Sequence, residues 1–326
     1  MIVGDELQRW LADRPAQRLT RQRIDAFAAD WNGGPAHRAI GAATAGLQAP
    51  AAEDVAAVVA NLFADGFWIE HLLDGLTEAL RADPYFQPPF RHIVSDIHKG
   101  LVVFENDHVS IAAGVSTAAE LAAKKNGKRE ALSVSFSGQL TLFKFARAGG
   151  ARLSFWECPP ITGDFTAASA GQCTCTGTRV VADGEIVVVD GRRESFIIEH
   201  AVANLVILQA TVKPDRAPLS VEYDYRTRAY VGCSAADDTA SRIQMITTLL
   251  RKLDCAAAFP GIAAFLDHPN FFVRWHVMRE LLGLDAKAAL PHLRKMAAGD
   301  PHPETRRAAE TTLARAEAEL APKKAA

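Results

Sequence analysis

The spacing of apolar residues changes twice along these 326 residues, and the two changes limit the folds open to the chain. Up to about residue 90, apolar side chains recur at three- and four-residue spacing, the period of helices lying on a core. "EDVAAVVANLFADGFWIEHLLDGLTEALRADP" is the clearest case. Val55, Val58, Val59 and Leu62 mark one face, Phe67 to Leu80 continue the pattern after Asp65-Gly66, and Asp83-Pro84 supplies a stop. "GDELQRWLADR" and "TRQRIDAFAADW" read the same way, while alanine-rich "GAATAGLQAPAAED" reads as a loop or a loosely held connection.

From "QPPFRHIV" the period becomes two. Runs such as "GLVVFEND", "HVSIAAGVS", "ALSVSFSGQLTLFKFARAGG", "ARLSFWECPP" and "QCTCTGTRVVADG" are β-branched and aromatic, with turn residues between them, which predicts a sandwich or a barrel. Asp190-Gly191, between "EIVVV" and "RRESFII", reads as a tight hairpin turn. "LSVEYDYRTRAY" reads as one amphipathic strand, with Leu219, Val221, Tyr223 and Tyr225 on one face and charged residues on the other. "SFIIEHAVANLVIL" is apolar at both parities and reads as a central strand covered on both sides. Gly149-Gly150 is a strand connection and not a phosphate loop, because neither a helix nor a lysine-serine ending follows.

After Asp237 the helical period returns. "TASRIQMITTLLRKLD" is followed by two similar units, "FPGIAAFLDHPNFFVRWHVMRELLGLD" and "ALPHLRKMAAGDPHPETRRAAETTLARAEAEL". Each begins with a proline-bearing helix start, passes an aspartate-proline-histidine type of turn, and continues as a helix with an early arginine, Arg274 or Arg306. These turns resemble those of HEAT repeats, and the resemblance implies stacked helix pairs with a ridge that contacts partners. Two units cannot stand as a free solenoid, so the helix from Thr239 to Leu253 is expected to lean the module on the β region.

The middle of the chain resembles a cupin-type double-stranded β-helix. The text that carries this is "DGEIVVVDGRRESFIIEHAVANLVIL", in which a glycine, a strand, a turn and a second strand lead to His200 and Asn204. The resemblance implies an enclosed antiparallel barrel or sandwich. Of the three histidines and one carboxylate in that family's usual metal set, only His200 is carried over.

Together these readings predict an α+β, multidomain chain. Residues 1–90 form a helical N-terminal region, 91–235 a cupin-like β domain, 236–320 a helical connector with two HEAT-like α-hairpins, and 321–326 a disordered tail. Lysine plus arginine number 36 against 38 acidic residues, so no overall positive field favours nucleic acid or an anionic membrane surface. No apolar run approaches the ~20 residues needed to span a bilayer, and no signal-peptide core opens the chain. Five scattered cysteines argue for reduced thiols, with Cys173 and Cys175 as small apolar side chains, and a cytoplasmic location is expected.

Candidate chemistry divides two ways. His200, Asn204 and Trp156 are the candidate ligand-binding residues, His200 and Asn204 being expected to face the barrel interior. His200 with His98 and Asp96 is the sharpest metal hypothesis, since two imidazoles and a carboxylate suit iron, manganese or zinc. On "VRWHVMRELL", Trp275 and Arg279 stand four apart, spaced for a cation–π pair that braces the repeat or grips a partner. The reading adopted is a non-catalytic or accessory protein that binds a small molecule or peptide and docks a protein through its repeats. The alternative is a metal-dependent oxidative enzyme, of tailoring or oxygenase type, using His200.

Overall fold

A computed structural model describes residues 5–95, 98–127 and 132–320. Helices α1 (Asp5–Ala12), α2 (Arg14–Gly33), α3 (Pro35–Ala45), α4 (Ala52–Ala64) and α5 (Phe67–Ala82) come first. Strands β1 (Arg91–Val94), β2 (Lys99–Glu105) and β3 (Val109–Ser116) lead to helix α6 (Ala118–Gly127), then β4 (Ser133–Phe136), β5 (Leu140–Arg147) and β6 (Arg152–Glu157). They are followed by β7 (Thr174–Val180), β8 (Ile186–Asp190), β9 (Glu194–His200), β10 (Leu205–Val212), β11 (Leu219–Asp224) and β12 (Tyr230–Ala235). Helices α7 (Asp238–Lys252), α8 (Phe259–Ala263), α9 (Phe271–Leu284), α10 (Ala286–Gly299) and α11 (Pro303–Leu320) complete the chain. The fold is α+β with antiparallel sheets, and no single helix among the described residues is long and apolar enough to cross a membrane.

Two compact units divide the chain. The first takes the residues up to Leu132 together with Gln139–Trp156 and Cys175–Arg216. Its six-stranded sheet has the order β1-β2-β3-β10-β5-β8, and its three-stranded sheet the order β7-β6-β9. Both faces of the larger sheet are covered. On one face Val103, Ile111, Leu140, Leu142, Leu208 and Ala210 pack with Trp31, Val55, Val59, Phe63 and Leu72 of the helices. On the other, Phe145, Val187, Val189, Leu205 and Ile207 pack with Leu153, Phe155, Phe196 and Ile198 of the smaller sheet.

Local chemistry fixes the helical layer. Asp13 caps α2 by accepting the Ala16 N–H at 3.0 Å. At the end of α5 the Asp83 carboxylate accepts from Thr20 at 2.8 Å, Arg23 at 3.1 Å and the Tyr85 N–H at 3.0 Å. Burial alone would raise this carboxyl, but those hydrogen bonds outweigh it and hold Asp83 below the usual range. The expected loop at 41–54 is shorter than the sequence suggests: α3 runs to Ala45 and α4 starts at Ala52. Alanine's helix propensity decides those ends.

Three strand readings are corrected. "SFIIEHAVANLVIL" is not one strand. The Val202 and Ala203 N–H groups donate to the Gly149 carbonyl at 2.9 and 3.0 Å, and the chain turns there, so β9 and β10 enter different sheets. Asp190-Gly191 likewise joins two sheets, since β8 pairs with β5 and β9 pairs with β6. "LSVEYDYRTRAY" is a hairpin, β11 to β12. Asp224 Oδ1 accepts from the Arg226 and Thr227 N–H groups, and Arg228 takes a φ of 61°, which turns the chain back. Because successive strands are dealt to separate sheets, the expected barrel does not close among the described residues. Gly149 and Gly150, with φ of 57° and 65°, do form the expected connection between β5 and β6.

The second unit takes Ser133–Gly138, Glu157–Thr174 and the residues from Ala217 on. Its sheet has the order β12-β11-β4, with Tyr223 and Phe136 fully buried. Ala235 of β12 packs on the core of the helices that follow, where Val273, Val277, Met278, Leu281, Ala289 and Leu293 are buried. Pro291 lies inside α10 rather than at its start, because Asp285 caps that helix earlier by accepting from the Ala288 N–H.

The repeat turn holds this module. Arg274, buried, grips Asp300 with two bonds of 2.9 and 2.7 Å and donates to the His268 and Pro269 carbonyls at 2.9 Å. Arg306 donates to the Asp300 carbonyl at 3.0 Å. His302, in the same turn, stacks on Phe271 at 3.6 Å, and its Nε2 donates to the Phe165 carbonyl at 3.1 Å. Removing either partner of a buried pair strands the other, at a cost of about 3–5 kcal/mol. Arg274→Ala and Asp300→Ala should each lower the stability of this unit on that scale in urea unfolding. Asp267→Ala, whose contact to Lys295 is 3.7 Å and exposed, should leave the midpoint in place. Equal midpoints for all three variants would refute this account of the turn.

Candidate docking face and the predicted site residues

Helix α7 carries the most exposed apolar stripe of the second unit. Met245, Leu249 and Leu253 follow one another at four-residue spacing with Ile246 beside them, and they are 70, 55, 67 and 56% exposed in that order. The opposite face is spent on the core, where Ala240 and Thr247 are buried. A terminal helix of a repeat stack normally turns a polar face outward. This one does not.

Elsewhere in the same module, helices α7, α9 and α11 line a cavity of about 360 Å³ whose lining includes Gln244, Phe271, Phe272, Trp275, Arg279 and Glu304. Phe271, Trp275 and Arg279 are set four apart on α9, so the helix aims all three at it. Arg279 is exposed, and among the described residues it has no carboxylate partner. Nor does it stack on Trp275: the guanidinium found over a ring is Arg179, 5.1 Å from Phe155. The expected cation–π brace is therefore absent from this pair: Trp275 packs on the helical core, half-buried, and Arg279 is left exposed. Phe271, Phe272 and Glu304 were not singled out from sequence. The i, i+4, i+8 run of Phe271, Trp275 and Arg279 was the available signal.

The floor of this region is polar and fully engaged. His276 Nε2 lies 3.0 Å from Thr248 Oγ1, 3.0 Å from the Gln244 carbonyl and 3.5 Å from Glu280. Glu280 also accepts from Arg251 and, at 3.1 Å, from Thr248. Burial lowers His276, keeping it neutral despite the carboxylate. Burial acts to raise Glu280, but Arg251 and Thr248 prevail and hold it below the ordinary value.

The described residues among those predicted for the β region lie in different settings. His200 ends β9 exposed, and Asn204 is exposed, its Oδ1 accepting from the Ala118 N–H at 3.1 Å. The expected interior placement of both is corrected, because the turn at 201–204 carries them to the edge. Trp156 is buried and donates its indole N–H to Ser154 at 2.9 Å; Ser154 in turn donates to Glu199 at 2.5 Å. His98 is half-buried, with Nδ1 3.2 Å from Ser116 Oγ and its ring over Gly114, and burial lowers its pKa. Asp96 lies outside the described residues, as does the tail 321–326. Among the described residues no three His, Cys, Asp or Glu side chains converge as an iron, manganese or zinc site requires. Cys173 is buried while Cys175 is partly exposed. Burial, and then the neighbouring Cys173, push the Cys158 thiol to about 12.

Comparison with known proteins agrees with the C-terminal geometry. The family model of HEAT repeats matches residues 232–314, from within β12 into α11. No curated protein matches the chain. Among solved structures the chain is similar to an HTH_3 family transcriptional regulator from Vibrio cholerae, at 11% identity and a TM-score of 0.23, covering 42% of this chain and 62% of that one. It is similar to ectoine synthase from P. lautus, at 12% identity and a TM-score of 0.18, with 38% and 69% covered. It is also similar to the capsular polysaccharide assembling protein CapF from Staphylococcus aureus, at 11% identity and a TM-score of 0.23, with 55% and 46% covered. The chain spans less than two thirds of the regulator's length. At these scores none of the three bears on fold or function.

Both His276 and Glu280 bind their proton less readily in the folded chain than in the unfolded one. The unfolded state therefore takes up protons first as pH falls, and stability drops. The loss should begin below the ordinary histidine value of 6.5 through His276 and deepen below the ordinary glutamate value of 4.5 through Glu280. In urea unfolding across pH, His276→Asn should flatten the upper part of this decline and Glu280→Gln the lower. Unchanged slopes in both variants would contradict the assignment.

Proposed function

We propose that this chain is a non-catalytic binding protein whose HEAT-like module docks a protein partner. The exposed stripe on α7 carries the reading. Four large apolar side chains, three on α7 and one on its C-cap, are too many to attribute to ordinary surface scatter, and contiguous apolar patches mark interaction sites. Burying what remains exposed of each would contribute about 1–2 kcal/mol. The cavity lined by α7, α9 and α11 adds what hot spots usually contain, an aromatic and an arginine, in Trp275 and Arg279. HEAT repeats generally mediate contacts between proteins, which supports the same conclusion.

The partner segment that fits is an amphipathic helix, laying apolar residues along Met245, Leu249 and Leu253 and an acidic side chain toward Arg279. The near-balanced charge of the chain favours this over a nucleic-acid partner. The first unit, with two antiparallel sheets facing each other across an apolar core, is read as cupin-like in architecture and as the part that binds a small molecule or peptide. The metal-dependent oxidative alternative has less support, because His200 is exposed at a strand end and no three His, Cys, Asp or Glu side chains converge among the described residues.

Leu249→Asp and Arg279→Glu should each weaken partner capture by about tenfold or more while leaving the thermal midpoint unchanged. A photo-crosslinking residue at position 249 should attach to the same captured protein, and calorimetry with that protein should reproduce the ranking. Capture at the parental level by both variants would reject this face as the docking surface.

A further inference from the structure

One face of the six-stranded sheet carries a cross-strand row that the register defines. Leu101 of β2 stands opposite Ala113 of β3, Ala113 opposite Leu208 of β10, and Leu208 opposite Lys144 of β5. Three members are aliphatic and the fourth is a cation. Alternation along β5 says the same thing: Leu140 and Leu142 are buried on this face, and Lys144 is next in the series.

Between this row and α5 lies a cavity of about 620 Å³, a volume typical of small-molecule sites. Its walls are aliphatic, including Ile69, Leu72 and Leu76 from the helix and Val103 and Leu208 from the sheet. Leu73, Val94 and Val115 also line it and are 45, 74 and 39% exposed, so the apolar lining is open to solvent.

Lys144 is half-buried in that lining. Its Nζ donates to the Phe63 carbonyl near the end of α4 and lies against Gly66, where an added Cβ would stand 3.4 Å away. An ammonium has three donors. Among the described residues this one meets a single acceptor and no carboxylate within ion-pair distance. The other charged residues of the lining are spent or solvated: Lys99 is held by Glu120 at 2.8 Å, and Glu70 is exposed. The carbonyl at a helix C-terminus explains one donor and leaves two. A half-buried ammonium with two open donors beside an apolar wall is complemented by a ligand that brings an anion and an apolar chain together.

We infer that this cavity binds a free aliphatic carboxylate of medium chain length, its chain along Leu101, Ala113 and Leu208 and its head group on the Lys144 ammonium. The inference rests on the ligand-binding half of the proposed function and gives that half a ligand class. It does not depend on the docking face.

The test is calorimetric titration of the full chain with decanoate, decanol and decyltrimethylammonium. The parent should bind decanoate about tenfold or more tighter than decanol, the scale of one charge-assisted hydrogen bond, and should not bind the cation. Lys144→Met should bring decanoate down to the level of decanol, and Lys144→Arg should keep most of the preference. Leu73→Trp, at the solvent-facing part of the lining, should weaken acid and alcohol together, with thermal midpoints confirming that each variant is folded. Equal binding of acid and alcohol by the parent, or an unchanged preference in Lys144→Met, overturns the carboxylate and leaves the pocket standing. No binding of either overturns the pocket and the ligand-binding half with it. The parental ratio decides the ligand class even where Lys144→Met fails to fold.

Discussion

A sheet that must be covered on both faces is the constraint on which the first unit depends. β10 states it most plainly, with Leu205 and Ile207 directed to one core and Leu208, Ala210 and Val212 to the other. A strand apolar at both parities cannot be left with one face in water. The helices α2 to α5 cover one side and the strands β6 and β9 the other. Everything the unit offers chemically follows from which side a residue is on. His98 lies over Gly100 and Gly114, whereas Lys144 belongs to the row that α5 covers.

The second unit depends on a polar interaction instead. Asp300 sits where three pieces of chain meet: its carboxylate takes Arg274, its carbonyl takes Arg306, and its Oδ1 also accepts the His302 N–H at 2.9 Å. The turn is thus tied to the helix before it and the helix after it. Burial would raise the Asp300 carboxyl, but Arg274 and the His302 N–H keep it low and charged. A rigid turn of this kind fixes α9 and α11 relative to each other, and so fixes the aromatic and cationic side chains that line the cavity between them.

What the residues disclosed, and what they hid, follows from the range of the interactions involved. Asp83-Pro84, the change of period near residue 90 and the aspartate-proline turns are local signals, and each sits where the chain actually changes. The break after His200 was hidden because both sides of it are apolar at both parities, so no lapse in pattern marks it. Its cause is the Gly149 carbonyl, about fifty residues away in sequence. The dealing of β4 and β5, or β8 and β9, to separate sheets is equally non-local, and closure of a barrel cannot be read from strands whose partners are unknown. Trp275 and Arg279 were legible as a helical pair. That the pair would stay unstacked and line a cavity with α7 and α11 depended on packing around α9.

Arg274 and Lys144 set two cations in apolar surroundings, and comparing them separates structure from function. The guanidinium is buried with a carboxylate gripped by two of its nitrogens and two carbonyls on its third, so its environment is complete without any outside group. Among the described residues the ammonium has one carbonyl and no carboxylate, and an apolar cavity lies beside it. Packing alone would place an aliphatic residue at that point of β5, as at Leu140 and Leu142 before it, and a cation there needs polar partners. The second unit meets this requirement from its own chain. The first leaves two donors of a half-buried ammonium open beside an apolar cavity, and that is the ground for assigning them a ligand from solution.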